Sequence, residues 1–298
     1  MPAIALIAVD WGTTNRRAWA LDGDGAVLDT RADGGGLLSI KDGQFAASFA
    51  AFAGDWLAES PPVLMCGMVG SRTGWSEAPY AAAPATVRDL ARHLHPVEFD
   101  RARIRIVPGV SAETGGIPDV MRGEECQIFG VLAQEKLSDA CIILPGTHSK
   151  WATVRDGVLT GFRTYITGEV FGLLRSQGTL SQLMTEAPHD DAAFRRGVAL
   201  GAKGDLLHDL FSVRTLGLFS RLPRGAISSY LSGLLIGSEF SSAMKGLDPG
   251  IPLVAVGSSQ LVAHYVDAAA QLALPLAAFH NDTILPTSLF AISRAAKI

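Results

Sequence analysis

Near its N-terminus the chain reads Ala3-Ile4-Ala5-Leu6-Ile7-Ala8-Val9-Asp10-Trp11-Gly12-Thr13-Thr14-Asn15. The short apolar run up to Val9 predicts a buried strand, because it stops abruptly at an acid and a glycine. In the turn that follows, bare backbone N–H groups and hydroxyls are suited to gripping phosphate oxygens. Two further runs, Arg17–Leu21 and Ala26–Thr30, flank a Gly/Asp turn and predict a β-hairpin. The stretch therefore predicts a strand, a phosphate loop and a hairpin in that order.

The same order of parts recurs later in the chain. A strand is predicted at Cys141–Leu144, a loop at Pro145–Lys150, and a hairpin at Trp151–Val154 and Val158–Thr160. The two copies lie about one domain length apart. We therefore expect a duplicated α/β fold of two lobes, each with a mixed central sheet flanked by helices, with ATP in the cleft between them.

The predicted lobes are residues 1–120 and residues 121–298. The first carries one phosphate loop and a substrate loop. The second starts with an interlobe helix and carries the other phosphate loop and an adenosine site.

Composition narrows the function classes. The 298 residues are 48% hydrophobic and 18% charged, with a formal net charge of −4. Nucleic acid and anionic membranes require a basic footprint, so neither is expected as a partner, whereas a small anionic ligand is compatible. Three cysteines without a CxxC spacing, no basic leader and no membrane-length apolar run predict a soluble protein of the reducing cytosol. A homodimer is compatible with the sequence, which does not fix the oligomeric state.

Each phosphate loop has two interpretations. Gly12, Thr13, Thr14 and Asn15, like Gly146, Thr147 and His148, could bind phosphate or form ordinary tight turns. The repetition of the whole arrangement favours phosphate binding. Asp10, at the end of the first strand, could hold Mg²⁺, whereas Pro145 stands at the equivalent place in the second copy. Metal is therefore expected from the first lobe.

A glycine-rich loop lies between the two copies and contains Gly70, Ser71, Arg72 and Trp75. Its glycines indicate close backbone approach, either to a substrate or to neighbouring protein. Arg72 suits a carboxylate, although arginine is just as often solvated.

Glu124 and Glu125 fall in the first turn of a predicted helix. Such carboxylates commonly complement the helix dipole, but one of them could be the general base that orients a substrate hydroxyl.

Several later residues are further candidates. Arg163 and Glu169 could contact substrate, or be an interstrand charge and a first-turn acid. Gly233 and Gly237, four apart on a predicted helix, could admit either a flat ring or another backbone. Gly257 and Ser258 follow a third strand and could contact a nucleoside.

Taken in order, these segments resemble the 2-dehydro-3-deoxygalactonokinases, members of the actin and hexokinase fold group. The resemblance runs almost end to end and rests on Asp10–Asn15, Gly67–Ser71 with Gly74-Trp75 and Ala78–Tyr80, Val120–Glu125, Pro145–Trp151, Phe162–Thr164, Thr167–Glu169 and Leu231–Gly237. A departure from the expected pattern lies at Asn281–Ser288.

The resemblance implies transfer of the ATP γ-phosphate to the 6-hydroxyl of 2-dehydro-3-deoxy-D-galactonate, in galactonate breakdown, with Mg²⁺. We expect Asp10 to orient the metal, Glu124 or Glu125 to orient the hydroxyl, and one of Arg72, Arg122 and Arg163 to bind the substrate carboxylate. Two rival interpretations are a polyphosphate or nucleotide phosphatase of the same fold group and a non-catalytic ATP-binding sensor.

Overall fold

A computed structural model describes residues 3–298, the side chain of Asp282 excepted. The strands are β1 Leu6–Trp11, β2 Arg16–Leu21, β3 Val27–Asp33, β4 Val63–Cys66, β5 Tyr80–Ala82, β6 His95–Val97, β7 Ile104–Ile106, β8 Gly109–Thr114, β9 Ile117–Met121, β10 Ala140–Leu144, β11 Ser149–Arg155, β12 Val158–Tyr165, β13 Leu253–Gly257 and β14 Leu276–His280. The helices are α1 Phe45–Ala53, α2 Val87–Arg92, α3 Glu124–Glu135, α4 Thr167–Ser176, α5 Gly178–Ser181, α6 Asp191–Gly201, α7 Leu206–Asp209, α8 Ser212–Leu218, α9 Ile227–Met244, α10 Ser259–Gln271 and α11 Asn281–Ala296. Within the described part of the chain, no helix has the length and apolar character needed to cross a membrane.

The chain folds into two compact units whose bounds differ from the predicted lobes. The first unit takes the chain up to Ser138 together with Val154–Gly161 and Asn281–Ile298; the second takes Asp139–Thr153 and Phe162–His280. Helices α3 and α11, expected in the second lobe, therefore belong to the first unit. They pack closely there, since a Cβ atom at Gly130 of α3 would lie 2.6 Å from Cγ2 of Ile284 in α11.

The six-stranded sheet has the order β3-β2-β1-β4-β7-β6. Strand β1 pairs antiparallel with β2 and parallel with β4, whose Cys66 lies beside Asp10. The sequence predicted β1 at Ala3–Val9, but the strand extends to Trp11 because Asp10 and Trp11 pair with Arg17 and Arg16. Its middle is fully buried, as expected for an apolar strand covered on both faces.

The five-stranded sheet has the order β12-β11-β10-β13-β14, with β13 parallel to both β10 and β14. Its first four strands follow the same order as β3-β2-β1-β4: a hairpin beside a central strand, and then a strand parallel to that central strand. The predicted duplication of the α/β fold is thereby confirmed in the strand order.

Helices α6 and α9 pack backbone against backbone through glycines. A Cβ atom at Gly233 would lie 2.0 Å from the carbonyl oxygen of Phe194, and one at Gly237 would lie 2.4 Å from that of Val198. The space beside both glycines is thus filled by α6, which supports the packing interpretation and leaves no room there for an adenine ring. The predicted adenosine contacts of Gly233 and Gly237 are corrected accordingly.

Candidate active site

Asp10 stands at the carboxyl end of β1, where three backbone segments of the first unit converge. Gly67, directly after β4, has φ +89°, and a Cβ atom on it would lie 3.1 Å from Oδ1 of Asp10. Gly123, directly before α3, has φ +103°, and its Cβ would lie 3.1 Å from Cα of Gly67. Both glycines adopt a backbone conformation that side chains disfavour and leave no room for one. The two glycines thus allow the chain to pass close to the Asp10 carboxyl and leave little space around it.

Burial raises the pKa of Asp10 to about 6; the Arg17 guanidinium lowers it and the nearby Glu124 carboxylate raises it. Two carboxyl groups close to one another favour a proton or a cation between them. A perturbed acid at a strand end is typical of a functional site.

The two acids at the start of α3 differ in accessibility. Glu124 is partly exposed, and its Oε2 accepts a hydrogen bond from the backbone N–H of Arg122 at 2.9 Å. Glu125 is fully buried, and both of its oxygens accept from the backbone N–H of Gly123, at 2.9 and 2.7 Å. Burial, followed by repulsion from Glu124, raises the pKa of Glu125 to about 8. The geometry therefore favours Glu124 as the acid that a ligand can reach.

The first phosphate loop is held by the segment that follows β3. The backbone N–H groups of Gly36, Leu37 and Leu38 donate to the carbonyls of Thr14, Gly12 and Thr13 at 3.2, 3.1 and 3.0 Å. Contact is so close that a Cβ atom at Gly36 would lie 2.2 Å from the carbonyl carbon of Thr14. The side chains of Thr13, Thr14 and Asn15 remain exposed. The loop is thus braced on one side and open on the other.

Arg122 and Gly70 come together in the first unit. The guanidinium of Arg122 stacks 4.4 Å from the ring centroid of Tyr80, and its Nη2 donates to the carbonyl of Ala78 at 2.8 Å. A Cβ atom at Gly70 would lie 2.9 Å from Nη1. Within residues 3–298, Nε and Nη1 are buried and have no hydrogen-bond partner. Buried donors without partners are rare, because each costs free energy that an anionic ligand can recover.

The other residues predicted in the glycine-rich loop have different surroundings. Trp75 packs among the rings of Trp11, Phe45, Phe49 and Phe99, with centroids 5.9 to 6.4 Å away, which supports the interpretation as a packed loop. Arg72 is 87% exposed, 3.7 Å from Glu77. Ser71 is partly exposed beside them.

In the second unit, the second phosphate loop is fastened to the start of α4. The N–H of Glu169 donates to the carbonyl of Thr147 at 3.0 Å, and a Cβ atom at Gly168 would lie 2.3 Å from the carbonyl oxygen of Gly146. Nε2 of His148 lies 2.6 Å from Oε2 of Glu169. Sequence reasoning placed His148 with the phosphates and Glu169 with the substrate, whereas the structure makes them partners.

Arg163 lies elsewhere in the second unit. It donates to the carbonyl of Ser242 at 3.2 Å and sits 5.4 Å from the ring centroid of Tyr165. The structure thus pairs this arginine with the end of α9 and with its own strand.

A cavity of about 370 Å³ opens beside the second phosphate loop. The cavity is lined by Gly146, the first turn of α4, the middle of α9 and the start of α10. The lining residues include Thr167, Gly168, Ser232, Leu235, Ile236, Gln260, Leu261, His264 and Tyr265. One wall carries a stacked pair of imidazoles, His189 and His264, with centroids 4.6 Å apart. Helix α9 therefore contributes Ser232 and Ile236 to the cavity where the sequence predicted its glycines. Gly257 and Ser258 lie directly before α10 and are not among the lining residues.

The model of the 2-keto-3-deoxy-galactonokinase family matches residues 10–292. The chain belongs to that family. The 2-dehydro-3-deoxygalactonokinase of Escherichia coli (strain K12) is 33% identical to it over 290 residues, 97% of each chain. The resemblance inferred from the motifs is confirmed.

Solved structures agree with membership in the 2-keto-3-deoxy-galactonokinase family. A Sinorhizobium meliloti protein assigned as a 2-dehydro-3-deoxygalactonokinase superposes with a TM-score of 0.91 at 33% identity, covering 97% of this chain and 98% of that one. The Clostridium difficile activator of 2-hydroxyisocaproyl-CoA dehydratase, solved with ADPNP, reaches a TM-score of 0.50 at 14% identity, covering 98% and 96%. The latter likeness concerns the fold alone. The predicted actin/hexokinase-like α/β fold is confirmed.

Sequence reasoning missed several residues in and beside the cavity of the second unit. His189, in the loop before α6, stacks on His264 of α10, and both line the cavity. Glu239 of α9 instead accepts hydrogen bonds from residues of β11, α4 and α10. These contacts form only through tertiary packing. A single His or Glu on a helix gives no local signal of such a role. Gly36 gave a weak signal, because three consecutive glycines precede Leu37.

Proposed function

We propose that this protein transfers the γ-phosphoryl group of ATP to the 6-hydroxyl of 2-dehydro-3-deoxy-D-galactonate in the cytosol. Family membership supports the reaction class, and the E. coli relative carries that substrate in its name. The observation that carries the proposal is the Asp10 carboxyl at the end of β1, enclosed by Gly67 and Gly123 and close to Glu124. Phosphoryl transfer depends chiefly on positioning and charge stabilisation, which such a carboxyl pair beside a phosphate loop can supply.

The proposed nucleotide site is the cavity of the second unit. Its volume of about 370 Å³ is in the range of small-molecule sites, and Gly146 of the second phosphate loop lines it. Apolar side chains of Leu235 and Ile236 suit a purine face, and Ser232 and Gln260 offer polar contacts. Adenosine would occupy this cavity, with its phosphates at Gly146, Thr147 and His148. The first phosphate loop, Gly12–Asn15, would bind phosphate oxygens next to the metal held by Asp10.

Mg²⁺ fits the residues of the first unit. The described residues hold no group of three or more His, Cys, Asp or Glu side chains suited to a metal. Mg²⁺ in phosphoryl-transfer enzymes keeps several waters and needs one or two carboxylates plus substrate phosphates, so a single acid suffices. Asp10, whose carboxyl lies at the end of β1 close to Glu124, is the residue that would hold it in its ionised form. When bound, the ion would neutralise charge on the phosphates.

Two further roles follow from the geometry of the first unit. Glu124 would orient and deprotonate the 6-hydroxyl, because it is the more accessible of the two acids. Arg122 would receive the substrate carboxylate, because its Nε and Nη1 donors are buried and unsatisfied in the described structure. Arg72 and Arg163 are engaged or exposed elsewhere.

A coupled ADP-release assay over a small panel of 2-keto-3-deoxy sugar acids, with and without Mg²⁺, tests the proposal. We expect ADP release that depends on both the galactonate-derived acid and Mg²⁺. An equal response to every acid would contradict the substrate, and phosphate release without any acid would indicate a hydrolase.

A further inference from the structure

Helix α9 carries a carboxylate in the interior of the second unit. Glu239 is 3% exposed. Its Oε1 accepts hydrogen bonds from Oγ of Ser149 and Nε1 of Trp151, both at 2.7 Å. Its Oε2 accepts from the hydroxyl of Tyr265 at 2.8 Å and from that of Thr167. A carboxylate is an acceptor with about four lone-pair sites, so four donors satisfy it completely.

The four donors come from three different elements. Ser149 and Trp151 open β11, directly after the second phosphate loop. Thr167 opens α4, beside Gly168, which packs on the carbonyl of Gly146. Tyr265 belongs to α10. The Glu239 side chain of α9 therefore connects β11 and α4, which both contact the second phosphate loop, to α10 in the cavity wall.

Burying a carboxylate in the protein interior is unfavourable unless hydrogen bonds replace those it made to water. Burial raises the pKa of Glu239, while its hydrogen bonds from Thr167, Ser149, Trp151 and Tyr265 lower it. A buried polar network that is fully satisfied fixes one arrangement of the groups it joins, whereas removal of one member leaves others unpaired at a cost. General stability could be obtained more cheaply from apolar residues of similar volume. The position of this network, beside the loop and the cavity, points to a more specific role.

We infer that Glu239 is a positioning residue of the nucleotide site, holding the second phosphate loop and the start of α4 in the arrangement that receives ATP. The identification of the cavity as a nucleotide site rests on the proposed function. Glu239 does not line the cavity, whereas Gly146, Thr167 and Tyr265 do. It therefore acts through these residues.

The test uses the full chain and two conservative variants, Glu239→Gln and Ser149→Ala. The glutamine keeps one oxygen for Trp151, which can only donate, and turns its amide toward hydroxyls that can accept. Ser149→Ala removes one donor and alters no residue of the cavity wall. Calorimetry measures Kd for ADP, and steady-state kinetics measure KM for ATP and for the sugar acid. In Glu239→Gln we expect Kd for ADP and KM for ATP to rise roughly tenfold, with a smaller rise in Ser149→Ala, while KM for the sugar acid stays within roughly twofold.

Tyr230→Phe is the matched control. Its hydroxyl lies on the same helix, bonds Oγ of Ser212 at 2.7 Å and does not line the cavity, so this variant should bind ADP like the wild type. Unchanged Kd for ADP in folded Glu239→Gln and Ser149→Ala would overturn the inference, as would an equal loss in Tyr230→Phe.

Two further outcomes are separable. If Glu239→Gln does not fold, Ser149→Ala decides by the same comparison with Tyr230→Phe. If the wild type binds ADP but phosphorylates no sugar acid, the proposed function fails, and the ADP affinities still decide the role of Glu239.

Discussion

Gly67 lies so close to Asp10 that a Cβ atom on the glycine would be 3.1 Å from Oδ1 of the carboxyl and 3.0 Å from the carbonyl oxygen of Trp11. This approach is closer than most side chains tolerate, and φ +89° at Gly67 is a conformation that L-residues rarely adopt. The glycine that follows β4 therefore limits where the Asp10 carboxyl, near the end of β1, can lie.

Replacing this glycine should affect both stability and turnover. Gly67→Ala is expected to destabilise the protein by about 1–3 kcal/mol, because the strained φ and the crowding add together. The displaced carboxyl should also lower kcat. Gly157→Ala provides the control, since Gly157 has φ +72° with nothing within 4 Å of its Cβ position. Denaturant unfolding and kinetics of both variants check this; equal effects would show that crowding at Asp10 has no role.

The pKa of Glu125 predicts a pH dependence of stability. In the folded protein it is raised from its ordinary 4.5 to about 8, so the folded state keeps a proton that the unfolded chain has released. The contribution of Glu125 to the free energy of unfolding therefore falls as pH rises from about 4.5 to about 8, and is constant outside that range. Asp10, with a pKa of about 6, contributes a similar fall at lower pH.

Glu125→Gln isolates this effect. Between pH 6 and 8 the free energy of unfolding of the wild type should fall more steeply than that of the variant, by up to about 1.4 kcal/mol per pH unit. Urea unfolding at several pH values without Mg²⁺ measures the two slopes. Parallel slopes would mean that Glu125 is ionised in the folded protein at neutral pH.

Arg122 and Arg72 should differ in their effect on substrate affinity. Arg122→Met keeps much of the apolar stem but removes the donors Nε and Nη1, so KM for the sugar acid should rise roughly tenfold to a hundredfold, with a smaller change in KM for ATP. Arg72→Met changes an exposed side chain and should raise KM for the acid less than twofold, roughly the effect of losing a surface ion pair. Equal KM values for the acid in the two variants would remove Arg122 from substrate binding.

The hydrogen-bonded pair of His148 and Glu169 should matter for nucleotide binding more than for stability. Both side chains are about half exposed, at 50% and 47%, so the pair is expected to contribute less than about 1 kcal/mol to folding. Glu169→Gln should nevertheless raise KM for ATP, because a neutral amide holds His148 beside the loop less strongly than a carboxylate does. Thermal unfolding and ATP saturation curves of the variant test both statements; a large loss of stability with normal KM would reverse the interpretation.

Local pattern predicted the parts of the fold that local physics determines. The strand, loop and hairpin at Leu6–Asp33 and again at Ala140–Tyr165 are encoded by short apolar runs and Gly/Asp turns, and both were found. The start of α3 at Glu124 was predicted by the same reasoning. What failed was the domain boundary, because the return of α11 to pack on α3 depends on contacts between residues far apart in sequence.

Some residues of the candidate site could likewise be predicted from local sequence, and others could not. Asp10 and the two Gly-Thr turns follow directly from strand ends, so sequence reasoning could place them. The choice between Glu124 and Glu125, or among three arginines, depends on burial and on hydrogen bonds to the backbone, which spacing does not reveal. The helical glycines were ambiguous because the same absence of a side chain serves a ligand or a neighbouring helix, and α6 supplies the neighbour.

The most direct measurement is ADP release dependent on 2-dehydro-3-deoxy-D-galactonate and Mg²⁺, in the wild type and in Asp10→Asn, with folding of the variant checked by circular dichroism. We expect acid-dependent ADP release by the wild type and a loss of roughly a hundredfold or more in the folded variant, because a metal-orienting charge is removed. Near-normal turnover by folded Asp10→Asn, or no dependence of ADP release on the sugar acid in the wild type, would contradict the proposed function.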